Sequence, residues 1–229
     1  MPDFMHYPDR TTLMENLAED VAAQLADVLE TQGKATLVVP GGTTPSPFLK
    51  RLSKAPLAWE NVSVLLSDER FVPQSSPRSN TRLIHETLLQ NRAAAAHFIP
   101  LYKPAPLPED VLDELASAIT KALPIDVCVL GMGTDMHTAS LFPGADRLTA
   151  ALDPETPHIV LPMRAPGADE PRLSLTAKVL RGAKHIHILL TGTDKKTALE
   201  HALIDGPATQ APIRCILNAP TEVEIHYAD

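Results

Sequence analysis

The chain has 229 residues, 22 of them proline, and carries a formal net charge of −8. That length can bury a sizeable core, and with no stretch that reads as a linker, residues 1–229 are expected to form one domain. The acidic balance argues against nonspecific binding to nucleic acid or acidic membranes, so an anionic small substrate would need a local cluster of Arg and Lys.

The amino terminus, M-P-D-F-M-H-Y-P-D-R, lacks a basic region followed by an apolar core and does not read as a signal peptide. No apolar stretch reaches the ~18 residues of a membrane span. Cys128 and Cys215 each lie in an apolar run, the expectation for buried thiols in a reducing compartment. Together these features predict a soluble cytoplasmic protein with proline-stiffened loops.

Thr12-x-x-Glu15 reads as a capping box, followed by a helix with Leu13, Leu17, Val21, Leu25 and Val28 on one face, ending near Gly33. A strand at 35–39 runs through Gly41-Gly42-Thr43-Thr44-Pro45 into a helix bearing Phe48, Leu49 and Leu52. Backbone N–H groups at such a turn can hold phosphate, although an ordinary strand-to-helix turn has the same pattern. The next strand, 62–66, ends at Ser67-Asp68-Glu69-Arg70. Such a charged run is commonly a solvated edge, or it sets a carboxylate and a guanidinium over a pocket. Ser79-Asn80 caps a helix with Leu83, Ile84, Thr87 and Leu88 inside. A short strand at 97–100 and the proline-rich loop around Pro104 and Pro106 precede a helix that Pro108 opens. Val111, Leu112, Leu115 and Ile119 carry that helix.

Residues 127–144, V-C-V-L-G-M-G-T-D-M-H-T-A-S-L-F-P-G, form the stretch around which the rest is organised. An apolar strand meets Gly131 and Gly133, which force a sharp turn; Asp135 and His137 follow, and Thr138–Leu141 can begin a helical turn. An acid and an imidazole at the mouth of a glycine turn suit a catalytic loop at the carboxyl edge of a sheet. A plain tight turn with a surface Asp and a half-buried His fits the spacing equally well. G-M-G-T-D-M is not a dinucleotide motif, because Met136 replaces the third glycine and no acid follows at the right distance. Further strands are predicted at 159–162, 172–176 and 184–190. The turn Thr191-Gly192-Thr193-Asp194-Lys195 then opens a helix bearing Ala198, Leu199, Ala202 and Leu203. An inner strand at 213–217 and an edge strand at 223–227 complete the chain. His185 and His187 share a strand face, but no third metal ligand is evident.

Repeated strand-turn-helix units predict an α/β fold with a Rossmann-like, largely parallel sheet flanked by helices. Their glycine turns at 41–45, 131–137 and 191–195, with 67–70, gather at one sheet edge around a single site.

Four ordered blocks carry a family resemblance: G-G-T-T-P at 41–45, S-D-E-R-F-V-P at 67–73 with S-N at 79–80, L-G-M-G-T-D-M-H-T-A-S-L-F-P-G at 130–144, and T-G-T-D-K at 191–195. Together they resemble the 6-phosphogluconolactonases. The resemblance implies the sugar-phosphate isomerase/deaminase type of fold, a small phosphosugar lactone as substrate, no metal or organic cofactor, and a monomer or weak homo-oligomer. It also implies that Gly41, Gly42, Thr43, Arg172 and Lys195 line the phosphate side. Two positions depart from the family pattern. Met136 stands where glycine is usual, where a side chain can crowd the turn or close the pocket wall and is strained if φ is positive. Pro40 replaces a smaller residue and removes one N–H from the turn.

Hydrolysis of 6-phospho-D-glucono-1,5-lactone needs a water deprotonated for attack at C1, donors for the oxyanion, and a grip on the phosphate. His137 is the natural general base, since an imidazole titrates near neutral pH. Asp135 or Asp68 orients it or contacts sugar hydroxyls, Arg70 and Arg172 hold substrate charge, and Lys195 binds phosphate as a point charge. A glucosamine-6-phosphate deaminase/isomerase shares the glycine turn and the D-x-H loop. However, its ring-opening relay resembles an Asp-His-Glu set, with Glu where this chain has Phe142, and it tends to have Tyr in place of Arg70. A non-catalytic sugar-phosphate sensor on the same fold is the other alternative, set against by His137, Asp135 and Asp68 occurring together.

Overall fold

The computed structural model describes residues 2–229. Its first strand, β1 (Asp3–His6), is absent from the sequence-based prediction. Helix α1 (Arg10–Gln32) is capped by Asp9, whose carboxylate accepts the Thr12 N–H at 2.8 Å. The predicted Thr12–Glu15 capping box therefore does not form. A carboxylate makes a charge-assisted cap and complements the helix dipole, leaving Thr12 inside the first turn and Glu15 on Arg51 at 2.6 Å. The predicted apolar face is buried, and the helix stops at Gly33, whose φ of 74° is the left-handed C′ conformation.

Strand β2 (Ala35–Val39) leads through the first glycine turn to α2 (Ser46–Leu52), and β3 (Val62–Leu66) continues past Ser67 into β4 (Asp68–Arg70). After α3 (Asn80–Thr87), β5 (His97–Ile99) and α4 (Leu112–Thr120), the chain enters β6 (Val127–Gly131). Next come α5 (Leu148–Leu152), β7 (Val160–Met163), β8 (Arg172–Leu175) and α6 (Ala177–Leu180). The chain ends with β9 (His185–Thr191), α7 (Thr193–Leu203), α8 (Arg214–Leu217) and β10 (Val223–Ala228).

Seven strands form one parallel sheet in the order β1-β10-β9-β6-β2-β3-β5. Helices cover it, so β2 and Val127–Leu130 of β6 read as unbroken apolar runs buried on both faces. From β2 the chain builds outward to β3 and β5, then returns through β6 to the other side of β2. The gap beyond the carboxyl ends of β2 and β6 is thus the switch point where α/β sheets bind ligands. Strands β4, β8 and β7 form a separate antiparallel sheet in that order.

Three local predictions are corrected. Residues 213–217 are not an inner strand: Ile216 and Leu217 both donate to the Ile213 carbonyl, making the short helix α8. A five-residue apolar run is compatible with either state, and here the local hydrogen bonds decide. Strand β10 is interior, between β9 and β1, and not an edge. Residues 138–141 form no helix; Thr138 and Leu141 make an isolated antiparallel bridge, with Ala139 between them at φ 49°.

Ser67–Arg70 is not a solvated edge, because Asp68 and Glu69 are buried. Glu69 accepts hydrogen bonds from the backbone N–H groups of Arg70, Asn80 and Thr81 and from the Ser79 hydroxyl, which fixes the start of α3 against β4. Cys128 and Cys215 are buried free thiols, both pushed up by burial. No helix among the described residues is long and apolar enough to cross a membrane.

Candidate active site

The loop after β6 holds His137 in a backbone trap. Met136 and Ala139 flank His137–Thr138 with φ values of 63° and 49°, left-handed conformations that cost a residue with a side chain about 1–2 kcal/mol each. Hydrogen bonds on every side hold them. Gly133 N–H donates to His137 O and Met136 N–H to Gly133 O, both at 3.0 Å. Thr138 Oγ1 donates to Gly131 O at 2.9 Å, and Ile213 N–H ties Met136 O to the segment before α8 at 3.0 Å. The Met136 side chain packs against the core and takes no part in the cavity wall, so it neither crowds nor closes the pocket.

Within this loop His137 Nδ1 meets Asp135 Oδ1 at 2.5 Å. Burial alone would raise the Asp135 carboxyl, but the hydrogen bond and charge of His137 outweigh it, and Asp135 sits below its ordinary value. With Nδ1 directed at a carboxylate, Nε2 is the nitrogen left to accept a proton. Phe142 packs on the imidazole at 4.1 Å between centroids and limits its rotation. Gly133 leaves the room this pair requires: a Cβ there would lie 2.3 Å from His137 Nδ1 and 2.5 Å from Asp135 Oδ1.

A cavity of about 310 Å³ opens at the carboxyl ends of β2, β3, β6 and β9. Gly41, Gly42, Thr43, Asp68, Arg70, His137, Arg172 and Lys195 line it, and Asp135 stands behind the imidazole, so the structure brings together every site residue that the sequence singled out. Asp68 does not touch His137. One of its oxygens accepts the Ser140 hydroxyl at 2.5 Å and the other the Ser67 hydroxyl at 3.1 Å. A larger groove of about 840 Å³ between α1 and α2 shares Thr43 and Thr44 with this cavity, but it contains no imidazole, and both its glutamates are paired with Arg51.

Among the described residues, none of the three cations forms an ion pair with a carboxylate. Arg70 and Arg172 lie opposite each other in the β4–β8 register, and each has a buried Nε with no hydrogen-bond partner. Arg172 rests over the Phe142 ring at 5.1 Å. Burial lowers its guanidinium below the usual range against the pull of Asp68, and Arg70 pushes the same way as burial. Burial likewise lowers Lys195, with no counter-ion beside it. Such a group of desolvated, underused donors is arranged for an anion supplied from outside.

Sequence reasoning gave no site role to Ser140, Ser174 or Asn80, although Ser140 and Asn80 fall inside the blocks that carry the family resemblance. Ser174 lies opposite Asp68 across β4–β8 and accepts the Ser140 N–H at 3.2 Å; Asn80 donates to Asp68 O at 2.9 Å and fills the space over Gly41. All three act through tertiary pairing, which leaves no signal in residue spacing.

Residues 8–226 match the family profile described as glucosamine-6-phosphate isomerases/6-phosphogluconolactonase. The chain belongs to that family. Among its members, the 6-phosphogluconolactonase of Mesorhizobium japonicum is 47% identical over 224 residues, covering 97% of this chain and 93% of its own. That of Rhizobium meliloti is 45% identical over 228 residues, 98% of both chains. A crystal structure of a 6-phosphogluconolactonase from Shewanella baltica superposes with a TM-score of 0.97 at 33% identity, covering 100% of this chain and 98% of that one. The parallel sheet flanked by helices is the family fold. The structure places Phe142 directly on the His137 ring.

Proposed function

We propose that this protein hydrolyses 6-phospho-D-glucono-1,5-lactone to 6-phospho-D-gluconate, with His137 as general base. The observation that carries this reading is the His137–Asp135 pair at the rim of a cavity whose cations, Arg172 and Lys195, form no ion pair with any carboxylate among the described residues. His137 Nε2 takes a proton from water as the oxygen attacks C1. The tetrahedral oxyanion then collapses, the bond from C1 to the ring oxygen breaks, and the imidazolium returns the proton to that oxygen. Asp135 holds the tautomer and balances the imidazolium, while the cations retain the phosphate and share the developing negative charge. Asp68, tied to Ser67 and Ser140, faces the cavity as an acceptor for sugar hydroxyls. The unpaired buried thiols fit a cytoplasmic enzyme; a monomer or weak homo-oligomer suffices, since all these groups come from one chain.

Lactone hydrolysis, corrected for the spontaneous reaction, tests the proposal. His137→Asn keeps a polar side chain of similar size without useful basicity. It should fold, bind 6-phosphogluconate normally and lose turnover by ~10²–10⁴-fold. Near-wild-type turnover in the folded variant would remove His137 as the base. A deaminase would release ammonia from glucosamine 6-phosphate, and a sensor would bind without turnover. Phe142, which cannot carry a proton, stands against the first.

A further inference from the structure

A second group of chemistry-bearing side chains lies between the sheet and α1, and none of its members lines the cavity. Its centre is His187 on β9 with Glu224 and His226 on β10. His185, the partner the sequence offered, is not in the group; Glu224 faces His187 across the strand register, and His226 follows two residues on. We propose that His187 Nδ1, His226 Nε2 and a Glu224 carboxylate oxygen form a structural site for a divalent d-block cation of the zinc type, clamping β9 to β10.

The geometry carries the proposal. The three ligand atoms are separated by 2.9, 3.8 and 3.9 Å, so a point equidistant from them lies about 2.1 Å from each, the length of a zinc bond to nitrogen or oxygen. Both imidazoles also have their far nitrogen engaged, as metal-bound histidines do. His187 Nε2 lies 2.8 Å from Gln24 Oε1, an acceptor, so this nitrogen carries the proton and Nδ1 is bare. His226 Nδ1 lies 3.0 Å from the Tyr7 hydroxyl, which has Met5 Sδ as its own acceptor at 3.5 Å. With the His226 proton on Nδ1, both inner nitrogens are free for the cation and no proton need leave the protein. Among the described residues, Glu224 has only these two rings as ion-pair partners, and the other charges acting on it, from Asp20, Glu222 and Asp3, are all negative. Both rings are fully buried, whereas Glu224 is 28% exposed and offers the way in for the ion and for a water as fourth ligand.

The test is titration of chelator-treated protein with zinc chloride, followed by calorimetry and thermal melting. One equivalent should bind and raise Tm, and removing it should leave lactone turnover at 25 °C unchanged. Glu224→Gln keeps shape at a partly exposed position, so it should fold and bind zinc at least tenfold more weakly. His185→Asn and His137→Asn should bind as the parent does. The site is refuted if no stoichiometric zinc binds, if Glu224→Gln binds like the parent, or if binding disappears in His185→Asn or His137→Asn. In the absence of metal, a single proton order satisfies the same chain, Tyr7 donating to His226, His226 to His187 and His187 to Gln24. A protein that ignores zinc would be using that order alone.

Discussion

Gly133→Ala adds one methyl group and tests whether the His137–Asp135 pair does the chemistry. The new Cβ would sit 2.3 Å from His137 Cε1 and Nδ1 and 2.5 Å from Asp135 Oδ1, where ordinary contact begins at 3.4 Å. Ring and carboxylate must therefore retreat by about 1 Å, and Phe142 on the ring limits the directions open to them. A misplacement of ~1 Å at a catalytic group costs about 10²-fold in rate. Stability should change little, because the obstructing atoms are side-chain ends and Gly133 is not among the residues with positive φ. Replacing glycine where the backbone permits it even gains about 0.4–1 kcal/mol through the unfolded state. The assay is kcat for the phosphorylated lactone with background subtracted, alongside Tm and the dissociation constant of 6-phosphogluconate. Turnover should fall about a hundredfold while the other two hold. Gly131→Ala, whose methyl would meet nothing within 4 Å, should leave the pair undisturbed. Full turnover in Gly133→Ala would refute the role given to the pair.

Lys195→Ala should weaken the preference for phosphorylated over unphosphorylated gluconolactone by about ten- to a hundredfold, the worth of a lost charge-assisted contact; an unchanged ratio of kcat/KM values excludes Lys195 as the phosphate ligand. Glu69→Gln places an amide where four donors converge on a buried carboxylate and should cost ~1–3 kcal/mol in denaturant unfolding. In metal-free protein, burial first, with the charges of His226 and His185 adding to it, lowers His187 from 6.5 to about 3; burial, opposed by Asp3, lowers His226 to about 4. The unfolded chain then binds the extra protons between about pH 6.5 and 4. Stability should drop as pH falls through that window, by up to about 1.4 kcal/mol per unit for each ring, and a flat profile of unfolding free energy would contradict their neutrality. Glu224 and Asp20 also face this cluster. Burial first, with neighbouring negative charge, raises both carboxyls, so their contribution runs the other way and reduces the drop. Tyr7, pushed up to about 12, titrates outside the window.

The parallel sheet and its glycine turns were legible because buried strands write themselves as apolar runs and sharp turns need particular residues. The grouping of His137 with Lys195 followed from placing those turns at one sheet edge, whereas Arg172, on a strand outside them, was put on the phosphate side by the family resemblance. Other features depended on competition between neighbours. Asp9 displaced Thr12 as a cap because the carboxylate is the stronger acceptor, and residues 213–217 curled into a helix because so short an apolar run has no period of its own. The choice between Asp135 and Asp68 needed distances. Only the folded loop shows the imidazole on Asp135 while two hydroxyls occupy Asp68. Strand β1 was invisible, since three of its four residues are exposed and it carries no buried apolar run.

That first strand has a consequence for how the protein is made. Among the described residues, Asp3–His6 pairs only with β10, Asp3 lying against Glu224, and β10 bridges it to β9. During synthesis β1 emerges from the ribosome long before β10 and stays unpaired until residues 223–228 have followed. The strands that frame the cavity, β2, β3, β6 and β9, can associate before then. The cavity side of the sheet is therefore expected to assemble first, and β10 with β1 to close it last, one long-range contact completing the other. A nascent chain stalled before Val223 would keep the strands around its cavity and leave β9 as a bare, apolar edge, the surface most in need of a chaperone.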